Sequence, residues 1–211
     1  MYFWSKFMHP TPVVICTAFA GTQCLAAGPV RDVARAVKIH VDAYPESQVL
    51  VFDRTTAQPV EFDLRGTVED VLARLDPTAP SATQPAESDS RPRGPGRPKL
   101  GVIAREVTLL PRHWDWLAAQ PGGASVTLRK LVEDARRAAE GADRRRTAQE
   151  AAYRFMSAMA GNAAGFEEAT RALFAADAAA FESLTHSWPA DVRDFARELA
   201  SRAFNPQQEA A

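Results

Sequence analysis

The sequence contains few of the features that metal, disulfide or membrane chemistry requires. Among 211 residues there are two cysteines, Cys16 and Cys24, which form no CxxC unit, and no His/Cys cluster has zinc-binding spacing. No apolar run approaches the ~20 residues that cross a bilayer. Gly-rich phosphate loops and nucleophile elbows are also absent. We therefore expect no cofactor, no metal ion, no membrane partner and no catalytic site.

The N-terminus allows two interpretations. The apolar run Val13 to Ala20 ends in an A-x-A pattern, which weakly resembles a secretory signal. Only Lys6 precedes it, however, and two prolines interrupt the approach. We therefore predict a core strand behind an N-terminal extension, residues 1–12, in a cytoplasmic protein with reduced thiols. Whether residues 1–10 belong to the native protein is left open.

Charge is unevenly distributed along the chain. The total is −1, but residues 1–90 carry −4, residues 91–146 carry +7 and residues 147–211 carry −4. A basic middle between acidic ends indicates either an anionic partner or docking of the middle on acidic protein surfaces.

Hydrophobic periodicity predicts an α+β protein. Residues 13–75 read as a ββαββα unit, with strands near 13–20, 23–27, 49–52 and 60–64. Residues 76–99 contain six prolines, and their first two-thirds hold Ser, Thr, Ala and acids without an apolar residue larger than Ala, which predicts a disordered linker that turns basic. Residues 100–146 read as a strand, Val102 to Leu110, followed by two helices, the second of which ends near Gly141. Four amphipathic stripes predict a helical region over 147–204, and 205–211 form a tail.

Three segments of the sequence carry a family resemblance. The phrases VLVFDRTTAQPVEFDLRG, GRPKLGVIAREVTLLPRHWDWLAAQPGGASVTLRKLVEDARR and WPADVRDFA resemble an uncharacterised bacterial family catalogued as domain of unknown function 2239. The resemblance covers about Val13 to Phe204. It implies a bacterial protein, and it implies no activity.

The strand-helix-helix segment raises the hypothesis of a ribbon-helix-helix that binds DNA and dimerises through residues 102–110. Ser125 would be the N-cap of the second helix, so that Ser125 and Thr127 would lie where its amides can hold phosphate. The alternation of side chains along the predicted strand argues against the recognition of DNA bases. One register presents Leu109, Val107 and Arg105 outward, and the other presents Glu106 towards phosphates. The alternative is a segment that only packs or dimerises, and the two tryptophans of HWDW are predicted to pack against the protein.

The stretch GPGRPKLG resembles half of a minor-groove hook. Gly96 to Lys99 keeps the second half of an Arg-Gly-Arg-Pro pattern, whereas Pro95 replaces the first arginine. A stiff basic linker is the alternative. The candidate nucleic-acid-binding residues are therefore Arg91, Arg93, Arg97, Lys99, Arg105, Ser125 and Thr127.

Two functions follow from these observations. The leading hypothesis is a regulatory protein that binds DNA or another polyanion through its basic middle segment. The alternative is a non-enzymatic interaction or assembly module whose basic segment docks on acidic protein surfaces.

Overall fold

The computed structural model describes residues 14–75, 103 and 105–205. The chain divides into two compact units, the first formed by residues 1–79 with 141–211 and the second by residues 80–140. The predictions for residues 1–12, for the linker over 76–99 and for most of the tail lie outside the described residues.

A three-stranded antiparallel sheet forms the middle of the first unit. Strand β1, Ile15–Ala20, lies between β2, Gln23–Pro29, and β3, Val49–Asp53. The β1–β2 turn places Gly21 at φ 58°, a conformation that glycine adopts without a Cβ clash. Because β1 is central, both of its faces are buried, and its run of apolar residues fits this position.

One face of the sheet packs against two helices. Helix α1, Val30–Ala43, begins directly after Pro29, and its Val33 and Val37 contact the apolar cluster formed by Cys16, Ala18 and Val51. Helix α2, Val68–Arg74, packs on Ala34 of α1 through Val71 and Leu72. Thr67 and Asp70 form a reciprocal capping box at its start, which satisfies amides that the first turn leaves unpaired.

The opposite face packs against the C-terminal helices. These are the end of α4, Gly123–Ala160, followed by α5, Phe166–Phe174, α6, Ala178–Leu184, and α7, Ala190–Phe204. Phe19 and Phe52 of the sheet meet Phe155 of α4, with ring centroids 5.3 and 5.2 Å from that of Phe155. Phe195 of α7 completes the cluster at 4.7 Å from Phe155. Side-chain alternation along β1 therefore produces a helix–sheet–helix sandwich in this unit.

Polar contacts join the sheet to α7. Arg54, directly after β3, donates to Glu198 over 2.6 Å and to the Thr17 hydroxyl over 3.2 Å, and its guanidinium lies 5.6 Å from the centroid of the Phe195 ring. At the outer edge of β2, the amide of Cys24 donates to the Asp191 carboxylate over 2.7 Å. This bond covers part of an edge that would otherwise present an unpaired amide.

The second unit contains helix α3, Pro111–Ala118, and the first part of α4. Pro111 is the first residue of α3, where its missing N–H leaves no helical bond unmade. Gly122 and Gly123 follow with φ of 88° and 73° and form the turn into α4.

The predicted α+β class is confirmed, and three predicted elements differ. The fourth strand is reduced to one bridge, Phe52 to Pro59, because the chain leaves the sheet edge and packs Phe62 and Leu64 beside α1 and α2. The predicted strand Val102 to Leu110 was wrong for the described residues 103 and 105–110, which form no strand.

The third difference concerns the length of α4. The helix was predicted to end near Gly141, but it continues to Ala160. Gly141 keeps an ordinary helical φ, since it is absent from the positive-φ glycines among the described residues. Arg146 pairs along the helix with Asp143 over 2.8 Å and more distantly with Glu150, and a single glycine costs a helix only about 1 kcal/mol.

Candidate interaction surface

The described part of the second unit has almost no core. Within residues 103 and 105–140, Leu117 is the one buried side chain, at 3% exposure. Two helices that bury a single side chain cannot offset the conformational entropy of their own ordering. The described part of this unit therefore requires further apolar contacts for its stability.

The same residues expose large apolar side chains, which we call the apolar surface. Trp116 is 51% exposed, and Trp114 is also exposed, so the prediction that these tryptophans pack against the protein was wrong. Among the described residues, no further helix or strand covers these side chains. The members of the apolar surface are Ile103, Val107, Leu110, Trp114, Trp116, Leu131 and Val132.

The segment before α3, residues 105–109, belongs to no helix or strand. Glu106, Val107 and Thr108 are exposed, and Leu109 is half-buried. Among the described residues, no main-chain hydrogen bond involves residues 105–109, whereas the carbonyl of Leu110 accepts from the amides of His113 and Trp114 at the start of α3. Within the described part of the chain, the main chain of this segment is therefore not part of a helix or a sheet.

The basic side chains of α4 are largely engaged along the helix itself. Glu133 accepts from Arg136 over 2.8 Å and from Arg137 over 3.4 Å, and the hydrogen bond from Arg136 is the main reason that the pKa of Glu133 is lowered. Arg129 donates to the carbonyl of Ser125. Residues 105–140 carry 6 basic and 5 acidic side chains, a net charge of +1. Most of the +7 over residues 91–146 therefore lies outside this range.

The candidate nucleic-acid-binding residues are separated by the structure into two groups. Arg91, Arg93, Arg97 and Lys99 lie outside the described residues. Arg105 is exposed in the segment before α3, Ser125 is exposed in the first turn of α4, and Thr127 is half-buried. No hydrogen bond or ion pair between described residues joins Arg105 to Ser125 or Thr127.

The predicted N-cap role of Ser125 was wrong. Helix α4 begins at Gly123, and two successive glycines with positive φ set its start, so that Ser125 lies inside the first turn. Its hydroxyl is exposed there. The sequence Pro121-Gly122-Gly123 indicates this helix start. The prediction instead chose Ser125, because serine is a common N-cap residue.

Open depressions occur among the described residues of the first unit, and two of them are well defined. One, of about 480 Å³, is lined by apolar side chains of α1, β3 and residues 59–64. The other, of about 630 Å³, lies at the end of α4 beside Trp188, with Ser157, Asn162 and Ser187 among its lining residues. No group of three or more His, Cys, Asp or Glu side chains in the described part of the chain is placed to hold a metal ion.

Both thiols lie beside carboxylates in the first unit. Burial, and then the charge of Asp53, raise the pKa of Cys16. Burial, and then Asp191, raise the pKa of Cys24, although Arg54 acts in the opposite direction. Thiols with raised pKa values remain protonated at neutral pH and are poor nucleophiles.

A comparison with protein families gives one match. The family described as "Uncharacterized protein conserved in bacteria (DUF2239)" matches residues 15–200, from the first residue of β1 into α7. Neither the curated proteins nor the solved structures contain a match to the chain. Across the described residues, no helix has both the length and the apolar character needed to cross a bilayer. With nearly all of its described elements inside the matched region, the chain belongs to the bacterial family DUF2239.

Proposed function

We propose that the chain is a non-enzymatic protein-interaction module and that residues 103–140 supply its binding surface. One observation carries the proposal: this unit buries Leu117 alone among its described side chains while it exposes the seven members of the apolar surface. Leu131 and Val132 are exposed neighbours on α4, and contiguous exposed apolar groups are characteristic of interaction sites. Two tryptophans strengthen the assignment, because tryptophan is enriched among residues that dominate binding energy.

Electrostatics favours the same function. Arg136 and Arg137 of α4 are both paired with Glu133 of the same helix, and residues 105–140 carry only +1. A unit that binds mainly by charge would present unpaired basic groups along its helices. The apolar surface, in contrast, gains about 25 cal/mol for each Å² that a partner removes from water.

The test uses two matched aspartate variants. Val132→Asp places a charge in the apolar surface, whereas Ile39→Asp makes the same kind of change at an exposed position of α1 in the first unit. Partners captured by the full chain from a bacterial lysate are identified by mass spectrometry, purified and titrated against the chain by calorimetry. Self-association of the purified chain is measured by light scattering. We expect binding or self-association that Val132→Asp weakens at least tenfold and Ile39→Asp leaves unchanged.

Two results would refute the proposal. One is a chain that is monomeric at ~100 µM and binds no purified partner. The other is binding that survives Val132→Asp undiminished. Circular dichroism of both variants confirms that helix content is retained, so that loss of binding is attributable to the surface.

A second candidate is polyanion binding by the basic segment. Its support is the net charge of +7 over residues 91–146, together with the exposed Arg105. If Arg91, Arg93, Arg97 and Lys99 each contact a phosphate, replacing all four by Gln should reduce the slope of log K against log salt by roughly 3 to 4. Fluorescence polarisation with a labelled 20-base-pair duplex between 50 and 200 mM salt measures the slope. No binding at 50 mM salt would eliminate this candidate.

A further inference from the structure

We infer that residues 133–147 in the middle of α4 act as a hinge, which opens locally around Gly141 while the core of the first unit stays folded. We call these residues the hinge segment. The opening does not depend on which partner the second unit binds. Its support comes from the composition of the segment, its exposure, its ion pairs and the position of its glycine.

The hinge segment has no side chains that could join an apolar core. Its sequence, EDARRAAEGADRRRT, contains nine charged residues among 15 and no apolar side chain larger than Ala. Whatever lies beside it can bury only methyl groups of its alanines, so tertiary packing contributes little to its stability. Most of the stability of helices in proteins comes from the packing of an apolar face, which this segment lacks.

The burial of α4 changes at the end of the hinge segment. None of the residues 133–147 is buried, whereas Ala148, Ala151 and Phe155 of the same helix are buried in the first unit. The core therefore holds the helix from Ala148 onward. Extension of a helix from such an anchored end needs no new nucleus, which explains why the hinge segment is helical without packing of its own.

Ion pairs in the hinge segment run along the helix. Glu133 pairs with Arg136 and Arg137, and Asp143 pairs with Arg146. Each pair joins residues three or four positions apart, so it stabilises the helix without fixing it to another element. All of these side chains are largely exposed, and exposed pairs of this kind contribute little. The pairs therefore hold the segment only weakly.

Gly141 is the weakest point of the hinge segment. It has an ordinary helical φ, and a Cβ at this position would meet no atom beyond its own helix backbone within 4 Å. Neither conformation nor space therefore requires a glycine here, and its main physical effect is to make opening easier. The boundary between the two compact units falls at the same place, between Glu140 and Gly141. Opening here lets the chain bend without disturbing the core of the first unit.

Hydrogen exchange of the purified chain, followed by mass spectrometry of its peptides, tests the hinge. Amides in the hinge segment exchange through local opening, whereas those of residues 152–156 and of α7 exchange only when the core opens. We expect the protection of the hinge segment to be lower by roughly a hundredfold or more, since local openings require far less free energy than global unfolding.

Three substitutions locate the opening. Ala138→Gly lies in the hinge segment, and Ala158→Gly makes the same change at an exposed position in the part of α4 that the core holds. Helix propensity predicts that Ala138→Gly lowers the protection of the hinge segment about fivefold and that Gly141→Ala raises it about fivefold. Ala158→Gly should leave it unchanged, because that position stays helical in the open state.

Three results would overturn the inference. One is protection of the hinge segment equal to that of residues 152–156, since the segment would then open only together with the core. Another is protection that Gly141→Ala leaves unchanged. The third is an equal effect of Ala138→Gly and Ala158→Gly on the hinge segment. Because none of these measurements involves a binding partner, the hinge and the proposed function can fail separately.

Discussion

Phe155 is the side chain through which the sheet and the C-terminal helices of the first unit are joined. It is fully buried, and its ring contacts Phe19 and Phe52 from the sheet and Phe195 from α7. Replacing it by Ala removes these contacts together and leaves a cavity that three neighbouring rings line. Substitutions of this kind cost about 4 kcal/mol, which includes the transfer free energy of the lost atoms and the cavity term.

Phe174 supplies the matched control. It lies at the end of α5, is 51% exposed, and has one ring contact, with Tyr153 at 5.8 Å. Because half of its surface is already in water, Phe174→Ala should cost about 1 kcal/mol. Phe155→Leu, which keeps most of the buried volume, should lie between the two and covers the case in which Phe155→Ala fails to fold.

The reporter is Trp188, which is buried and donates to the carbonyl of Ala164 over 3.0 Å in the first unit. It becomes the sole tryptophan after Phe replaces Trp4, Trp114 and Trp116. Thermal unfolding followed by its fluorescence should show a midpoint lowered by roughly 10–15 °C in Phe155→Ala and by less than about 5 °C in Phe174→Ala. Equal shifts in the two variants would refute the assignment of Phe155 to the centre of the core.

Three further predictions concern single contacts. In a double-mutant cycle of Arg54→Met and Glu198→Gln, urea unfolding should give a coupling energy of about 1 kcal/mol for this half-exposed pair, and additive effects would contradict the contact. Burial alone would raise the pKa of Asp53, but hydrogen bonds from Thr56 and Thr55 outweigh it and lower the pKa. The contribution of Asp53 to stability should therefore be full at neutral pH and decline below about pH 4. Asp53→Asn should reduce both the stability at neutral pH and this decline, measured as urea midpoints from pH 7 to 3. Gly141→Ala meets no neighbouring atom and should raise stability by about 0.5–1 kcal/mol, whereas a loss would show that Gly141 is not helical.

The elements that local patterns specify were predictable from the sequence. The three-and-four spacing of Val30, Val33 and Val37 located α1. The apolar stripes located the last part of α4 and the helices α5, α6 and α7. These helices each bury one face, so the period of their apolar residues reports their structure directly. The contacts between distant segments were not predictable in this way. Arg54 and Glu198 are 144 residues apart, and nothing in either local sequence names the other.

The wrong predictions of the fourth strand and of the end of α4 have one physical cause. In both, tertiary contacts compete with the local preference of the sequence. Val60, Phe62 and Leu64 alternate as a strand does, but each side chain finds an apolar cluster beside α1 or α2 once the backbone leaves the sheet. Gly141 is a typical helix end, yet ion pairs and alanines on both sides carry the helix through it. In each case a moderate local preference was outweighed by contacts that a single sequence does not display.

The candidate site in the second unit was the part of the chain whose structure was hardest to predict. Alternation at Val107 and Leu109 is strand-like, but a strand requires a neighbour, and no described residue of the chain provides one. Sequence patterns that describe a complete fold normally pair every apolar face with another element. Here Trp116 and Val132 remain exposed, so their apolar side chains do not reveal which element they would pack against.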